Sequence, residues 1–216
     1  MRRKLLLATN NQAKVREYRS LLQNLPFELV TLVEQGITTI VDEVGDSLEE
    51  NARLKAIAGA VKSHLVTLAD DSGLEVDALG GEPGRLSARY AGEGASDRDR
   101  VNYLLSRLEG VPWQERSARF RCVIAIARPD GEIGFCSGEC YGSITFEPRG
   151  EHGFGYDPIF YLAELDKTMA ELPLEIKNQV SHRGKAARKV YQVLEKFRSP
   201  KNQDFWVKFK GTEYAR

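Results

Sequence analysis

Apolar residues in the first half of the chain alternate between short runs and helical spacing. Residues 5–7 predict a short buried strand, and the apolar positions from Val15 onward predict a helix directly after it. A second helix is predicted after Ser47, because Ser47 and Glu50 stand at the spacing of a capping box. Its apolar face is expected to consist of Leu54, Ile57, Ala58, Val61 and Leu65.

The pattern becomes rich in strands from about residue 110 to about residue 146. Residues 119–128 and 132–140 flank a Pro-Asp-Gly turn, which predicts a hairpin. A last helix is expected to begin after Ser181 and to continue to about Phe197. Helices and strands in this order predict an α/β fold with a mixed sheet.

Two adjacent carboxylates, Asp70 and Asp71, follow an apolar run and precede Ser72 and Gly73. Neighbouring side chains of an extended segment point to opposite faces, so we expect at least one carboxylate to be buried or paired. Gly73 is expected to form a turn. Mg²⁺ takes one or two carboxylates together with phosphate oxygens, so the pair suits this ion. A plain turn without any ligand is the alternative.

Cationic side chains occupy the first turn of two predicted helices. Asn10 or Asn11 is expected to cap the first helix, and Lys14 then lies where a cation is electrostatically misplaced unless an anion is bound. The last helix begins with His182 and Arg183 in the same situation, and Lys177 precedes them. These helix ends are predicted to bind phosphate, and a solvated basic patch is the alternative.

Residues 153–160 form a loop with two glycines and two early aromatic residues. Phe154 or Tyr156 offers a stacking face for a base, or both rings belong to the core. Glu43 precedes the second helix and is a further candidate metal ligand. Lys55 lies on the mostly apolar second helix, where it either extends to water or counters Asp70 or a phosphate. Together these features favour a nucleotide ligand.

Composition narrows the class of protein. The chain has 216 residues, of which 42% are hydrophobic and 29% are charged, and its formal net charge is zero. We therefore expect one large domain or two lobes, without long-range attraction to nucleic acid or an acidic membrane. The three cysteines form no zinc or redox motif, and we expect no signal peptide or membrane span. A cytoplasmic location is the default expectation.

Several longer motifs, in order from about residue 5 to about residue 197, resemble one known family. They are Thr9-x-Asn11-x-x-Lys14, Glu43-x-Gly45, Glu50-Asn51-Ala52 with Lys55-Ala56, Ala69-Asp70-Asp71-Ser72-Gly73-Leu74, Ser87-Ala88-Arg89-Tyr90, residues 153–160, and Ser181-His182-Arg183-Gly184. On these residues the chain resembles the inosine triphosphate pyrophosphatase family, also called Ham1-like. Leu48, Glu82 and Leu86 depart from the residues that the family usually has at these positions.

The resemblance implies hydrolysis of non-canonical purine nucleoside triphosphates (ITP, dITP and XTP) to the monophosphate and pyrophosphate. It further implies Mg²⁺ as cofactor, a cytoplasmic homodimer, and an elongated mixed sheet with flanking helices and two lobes around a central cleft. The family domain is expected over residues 1–198, and residues 199–216 are expected to be an extension. A Maf-type pyrophosphatase for modified pyrimidine nucleotides and a nucleotide-binding protein without turnover are the alternative functions.

The family's functional residues match positions of this sequence one by one. Asp71 matches the general base, Glu43 and Asp71 match the metal-associated acids, and Ser72 matches a substrate contact. Lys55 matches a substrate-binding position and forms, with Asp70, a charged pair beside the metal. The triphosphate loop matches Thr9, Asn10, Asn11, Gln12, Ala13 and Lys14. Base recognition matches Phe154, Gly155, Tyr156, Asp157, Lys177, His182 and Arg183.

Overall fold

The computed structural model describes residues 3–38, 45–197 and 207–208. Its strands are β1 (Arg3–Leu7), β2 (Phe27–Thr31), β3 (Val66–Val76), β4 (Pro83–Gly84), β5 (Ser117–Ala127), β6 (Glu132–Ile144), β7 (Phe160–Leu162), β8 (Lys167–Thr168) and β9 (Val207–Lys208). Its helices are α1 (Gln12–Leu21), α2 (Leu48–Ser63), α3 (Asp97–Arg107), α4 (Leu174–Val180), α5 (His182–Ala187) and α6 (Val190–Lys196).

Within these ranges the nine strands belong to one sheet, in the order β2-β1-β3-β5-β6-β7-β8, with β4 beside β3 and β9 beside β6. Strand β1 runs parallel to both β2 and β3, whereas β6 runs antiparallel to β7. The predicted α/β fold with a mixed sheet is therefore confirmed. The cleft between two lobes stays a prediction.

The chain forms two compact units. Unit 1 comprises Met1–Asp71, Val123–Ser137 and Ala186–Arg216, and unit 2 comprises Ser72–Cys122 and Gly138–Lys185. Each unit has a hydrophobic core of its own. In unit 1 the core includes Leu6, Val30, Ala52, Ala56 and Val123. In unit 2 it includes Leu74, Leu104, Phe120, Tyr156 and Phe160.

Helix α2 buries mainly a face of small residues, whereas Ile57 and Leu65 of the predicted face pack only partly buried against the core. Its buried residues are Leu48, Asn51, Ala52, Lys55, Ala56, Gly59 and Ala60, whereas Val61 is 60% exposed. The face of small residues lets the helix backbone approach the sheet closely, and this packing outweighs the larger apolar side chains on the other side. Ser47 caps the helix as predicted, but the Glu50 carboxylate pairs with Arg53 at 2.7 Å.

The sequence predicted a turn at Gly73, and this prediction was wrong. Strand β3 continues through the two carboxylates and Gly73 to Val76. A Cβ atom at Gly73 would lie 2.3 Å from the carbonyl oxygen of Gly84 on β4. Glycine is needed here for the close approach of two backbones and not for a turn. Asp70 and Asp71 consequently lie within a strand.

The predicted last helix is divided. Helix α5 ends at Ala187, helix α6 begins at Val190, and Tyr191 is 46% exposed. Between the two helices, the Lys189 side chain donates to the Ser137 carbonyl at 2.6 Å. Neither glycine nor proline marks this break, so helical periodicity does not reveal it.

Candidate active site

The turn before helix α1 is organised by its own side chains. The Oδ1 atom of Asn11 accepts from the backbone N–H groups of Ala13 and Lys14 at 2.9 and 3.1 Å, so Asn11 is the N-cap. The hydroxyl oxygen of Thr9 accepts from the Asn11 N–H at 3.2 Å. Asn10 and Gln12 are exposed and are joined by a hydrogen bond of 3.5 Å. The helix end thus presents an ordered turn, which suits an anion.

Each carboxylate of the acidic pair contacts a lysine. The Lys14 Nζ atom lies 3.0 Å from Asp70 Oδ2, and the Lys55 Nζ atom lies 2.8 Å from Asp71 Oδ1. The predicted pairing of Lys55 with Asp70 or a phosphate stays a prediction. Because adjacent side chains of a strand point to opposite faces, the two acids meet lysines on different helices. Both carboxylates are buried, as expected for at least one of them.

A residue without a predicted role, Asn51, also contacts the acidic pair. Its side-chain Nδ2 donates to Asp71 Oδ2 at 3.2 Å, and its Oδ1 accepts from the Gly45 N–H at 2.8 Å. Asn51 precedes Lys55 by four residues, so both lie on one face of α2. That spacing and the Glu50-Asn51-Ala52 motif were sequence signals for Asn51, but the predicted apolar face did not include it.

The acids of unit 1 fit a magnesium ion by their chemistry. Asp70 and Asp71 supply the carboxylate oxygens that Mg²⁺ prefers, and an ionised carboxylate has about four lone-pair sites. Glu43 lies outside the described residues. Across the parts of the chain that the structure describes, no group of three or more His, Cys, Asp or Glu residues could hold a metal. Water molecules or phosphate oxygens would therefore complete the coordination.

In unit 2, cations surround the half-buried ring of Phe154. The Lys177 Nζ atom lies 4.9 Å and the Arg183 guanidinium carbon 5.3 Å from the ring centroid. Lys177 is also paired with the Asp157 carboxylate, and Arg183 donates to the Ser72 hydroxyl at 3.0 Å. The structure thus brings five of the predicted residues of unit 2 together.

The aromatic loop is held by hydrogen bonds. Its Gly155 N–H donates to an Asp97 carboxylate oxygen at 2.7 Å, and the Phe154 N–H donates to Asp157 at 2.8 Å. The Tyr156 hydroxyl donates to the Ser87 carbonyl at 2.9 Å. Tyr156 is a core residue, and its burial raises the pKa of its hydroxyl. Of the two aromatic side chains, Tyr156 is buried and Phe154 is half-buried.

His182 is 3% exposed and stacks on Phe120, with ring centroids 4.6 Å apart and an interplanar angle of 16°. Ser181 caps helix α5 as expected, because its hydroxyl accepts from the Gly184 N–H at 3.1 Å. The predicted basic helix start is therefore a buried part of unit 2 and not a solvated patch.

The three cysteines are free thiols and are buried. Burial raises the pKa of Cys136 to about 12 and that of Cys140 to about 11. Both thiols are consequently protonated at neutral pH, and Cys122 is fully buried. Among the helices that the structure describes, none has the length and apolarity required to cross a bilayer.

Comparison with known proteins decides the family. The family model described as the Ham1 family matches residues 5–193. The chain belongs to the Ham1 family. The resemblance seen in its motifs is thereby confirmed.

Curated and solved members of the Ham1 family are similar along most of their length. A dITP/XTP pyrophosphatase of Desulforamulus reducens is 51% identical over 89% of this chain and 96% of its own. A dITP/XTP pyrophosphatase of Geobacter sulfurreducens is 52% identical over 85% of this chain and 92% of its own. The Ham1 protein structure from Coxiella burnetii has 40% identity and a TM-score of 0.81, covering 90% of this chain and 99% of that one. The Staphylococcus aureus Ham1 structure has 42% identity and a TM-score of 0.79, and the match covers 90% of this chain and 100% of that one.

Proposed function

We propose that this Ham1 protein hydrolyses ITP, dITP and XTP to the nucleoside monophosphate and pyrophosphate. The observation that carries the proposal is the buried Asp71 carboxylate, which Lys55 and Asn51 hold in one orientation. The names of the relatives, dITP/XTP pyrophosphatase, support the substrate class. Hydrolysis of such nucleotides removes them from the pool used for nucleic-acid synthesis.

The residues of unit 1 suit the triphosphate. The N–H groups at the start of α1 and the ammonium of Lys14 attract negative charge, and Asp71 orients a water molecule toward the α-phosphorus and accepts its proton. Mg²⁺, when bound by Asp71 and Glu43, supplies positive charge that stabilises the leaving pyrophosphate. Both the magnesium dependence and the role of Glu43 belong to this proposal.

The residues of unit 2 suit a purine with a 6-oxo group. The Phe154 ring offers a stacking face, and Lys177, His182 and Arg183 carry N–H donors. Adenine presents an amino donor at position 6, so a site of donors would leave hydrogen-bonding groups unpaired against it. The positions of Lys177 and Arg183 beside the Phe154 ring support this assignment.

The test uses the full chain, an Asp71→Asn variant and, as control, an Asp130→Asn variant in the exposed β5–β6 turn. Each is incubated with Mg²⁺ and one of ITP, dITP, XTP, ATP, GTP or modified pyrimidine triphosphates, and the products are separated. We expect monophosphate and pyrophosphate from ITP, dITP and XTP, retained by the control and lost with Asp71→Asn. Pyrimidine preference would favour a Maf-type enzyme, and binding without turnover would favour a nucleotide sensor.

We also propose that residues 1–198 are one catalytic domain with two lobes, that residues 199–216 are an extension, and that the protein is a cytoplasmic homodimer. The span of the family match, residues 5–193, supports the domain boundary. The pairing of Val207 and Lys208 with β6 supports the proposal that this segment packs on the domain. Light scattering of the full chain and of a chain ending at residue 198 tests whether the protein is a dimer and whether the dimer needs the extension. A monomeric full chain would contradict the dimer.

A further inference from the structure

We propose that Asn51 is a positioning residue, which holds the Asp71 carboxylate and the chain at Gly45 in a single arrangement for metal binding. The inference rests on the proposed function and adds a residue to it. Asn51 is 1% exposed and is the fourth residue of helix α2. Burial of a polar side chain at such a position is costly unless its hydrogen bonds are made.

Asn51 uses both ends of its amide. Its Nδ2 donates to Asp71 Oδ2 at 3.2 Å, while its Oδ1 accepts from the Gly45 N–H at 2.8 Å. A carboxylate at this position would keep the acceptor and lose the donor, and an alanine would lose both. The contact to Asp71 therefore requires the amide.

The chain at Gly45 is fitted closely to this amide. A Cβ atom on Gly45 would lie 2.7 Å from Asn51 Oδ1 and 2.7 Å from the Glu50 Cγ atom. Even a methyl group would push the backbone N–H away from Asn51. Glycine at residue 45 is thus part of the same contact.

Helix α2 controls both oxygens of the Asp71 carboxylate. Lys55 holds Oδ1 at 2.8 Å and Asn51 holds Oδ2, so the plane of the carboxylate is fixed from one helix face. Gly45 stands two residues after Glu43, the second acid proposed for the metal. Asn51 therefore connects the Asp71 carboxylate to the backbone at Gly45. Partners of this kind typically change metal affinity by about 10- to 100-fold when they are removed.

The test compares the wild-type chain with Asn51→Asp and, as a matched control, Asn102→Asp on the exposed side of α3. Binding of Mn²⁺ alone is measured by electron paramagnetic resonance of the unbound ion, without nucleotide. Release of pyrophosphate from ITP is then measured against Mg²⁺ concentration. Thermal unfolding in EDTA reports the folded fraction. Gly45→Ala disturbs the same contact from its other side and serves where Asn51→Asp does not fold.

For Asn51→Asp or Gly45→Ala we expect Mn²⁺ affinity per folded molecule to fall by about 10- to 100-fold. The Mg²⁺ concentration that gives half-maximal rate should rise by a similar factor, and Asn102→Asp should change neither. A variant that unfolds at lower temperature but keeps wild-type Mn²⁺ affinity would overturn the inference and leave Asn51 a structural residue.

Two further outcomes separate this inference from the proposed function. A wild-type chain that hydrolyses ITP but binds no Mn²⁺ alone would also overturn the role of Asn51, because the metal would then arrive with the nucleotide. A wild-type chain that binds Mn²⁺, with weaker binding in Asn51→Asp, but hydrolyses none of the triphosphates would refute the function and retain Asn51 as an organiser of a metal site.

Discussion

Replacement of Lys55 by methionine is expected to destabilise the protein strongly. The Lys55 Nζ atom lies 2.8 Å from Asp71 Oδ1, and the two side chains are only 9% and 7% exposed. Methionine has similar length but no charge, so the change removes the cation and keeps most of the packing. Asp71 then keeps the hydrogen bond from Asn51 but loses the charge that offsets its burial.

The size of the effect follows from this burial. Removal of one member of a buried ion pair costs about 3–5 kcal/mol, because the other charge stays out of water. In a chain of this length each kcal/mol corresponds to about 2–4 °C, so the melting temperature should fall by roughly 6–20 °C. An exposed pair contributes only about 0–1 kcal/mol.

The chain offers a matched control in Arg19 and Glu34. Their ion pair has the same length, 2.8 Å, but the side chains are 52% and 49% exposed. Urea unfolding in EDTA gives the free energy of unfolding of the wild type, Lys55→Met and Arg19→Met. We expect a large loss for Lys55→Met and less than about 1 kcal/mol for Arg19→Met.

Equal losses for the two variants would refute the reasoning, since burial would then have no bearing on the value of the pair. Excess Mg²⁺ in place of EDTA is expected to restore part of the stability of Lys55→Met, because a bound cation replaces the lost charge. Failure of Mg²⁺ to do so would count against a metal at Asp71.

Three smaller changes test other contacts. Tyr156→Phe removes the hydroxyl bonded to the Ser87 carbonyl and should cost about 1 kcal/mol. Burial raises the pKa of the Tyr156 hydroxyl above its unfolded value of about 10. The hydroxyl therefore stabilises the fold below pH about 10 and loses this contribution at higher pH. In urea unfolding, the free energy of unfolding of Tyr156→Phe should fall less steeply with rising alkaline pH than that of the wild type. Gly73→Ala places a methyl against the backbone of β4 and should cost about 1–3 kcal/mol in the same assay; an unchanged midpoint would contradict the close approach. Asp97→Ala frees the Gly155 N–H and should raise KM for ITP roughly tenfold with little change in kcat; an unchanged KM would show that the loop needs no support from α3.

Local signals in the sequence predicted the helix starts and the strand-rich middle of the chain. Asn11 and Ser47 cap their helices because a side-chain oxygen that accepts from nearby N–H groups is a local interaction. The hairpin of β5 and β6 was likewise predictable, because the Pro-Asp-Gly turn between the two strands is also a local signal. The two adjacent carboxylates also predicted that at least one of them is buried, because neighbouring side chains of an extended segment point to opposite faces.

The sequence by itself therefore determined the element types, the caps, the family and the residue kinds of the candidate site. Tertiary structure alone decided that Lys14 pairs with Asp70 and Lys55 with Asp71, because neither pair is local in the chain. It also decided which face of α2 is buried. Periodicity assumes that the largest apolar side chains face the core, whereas close approach of a helix to a sheet selects small residues and so carries Asn51 inward with them.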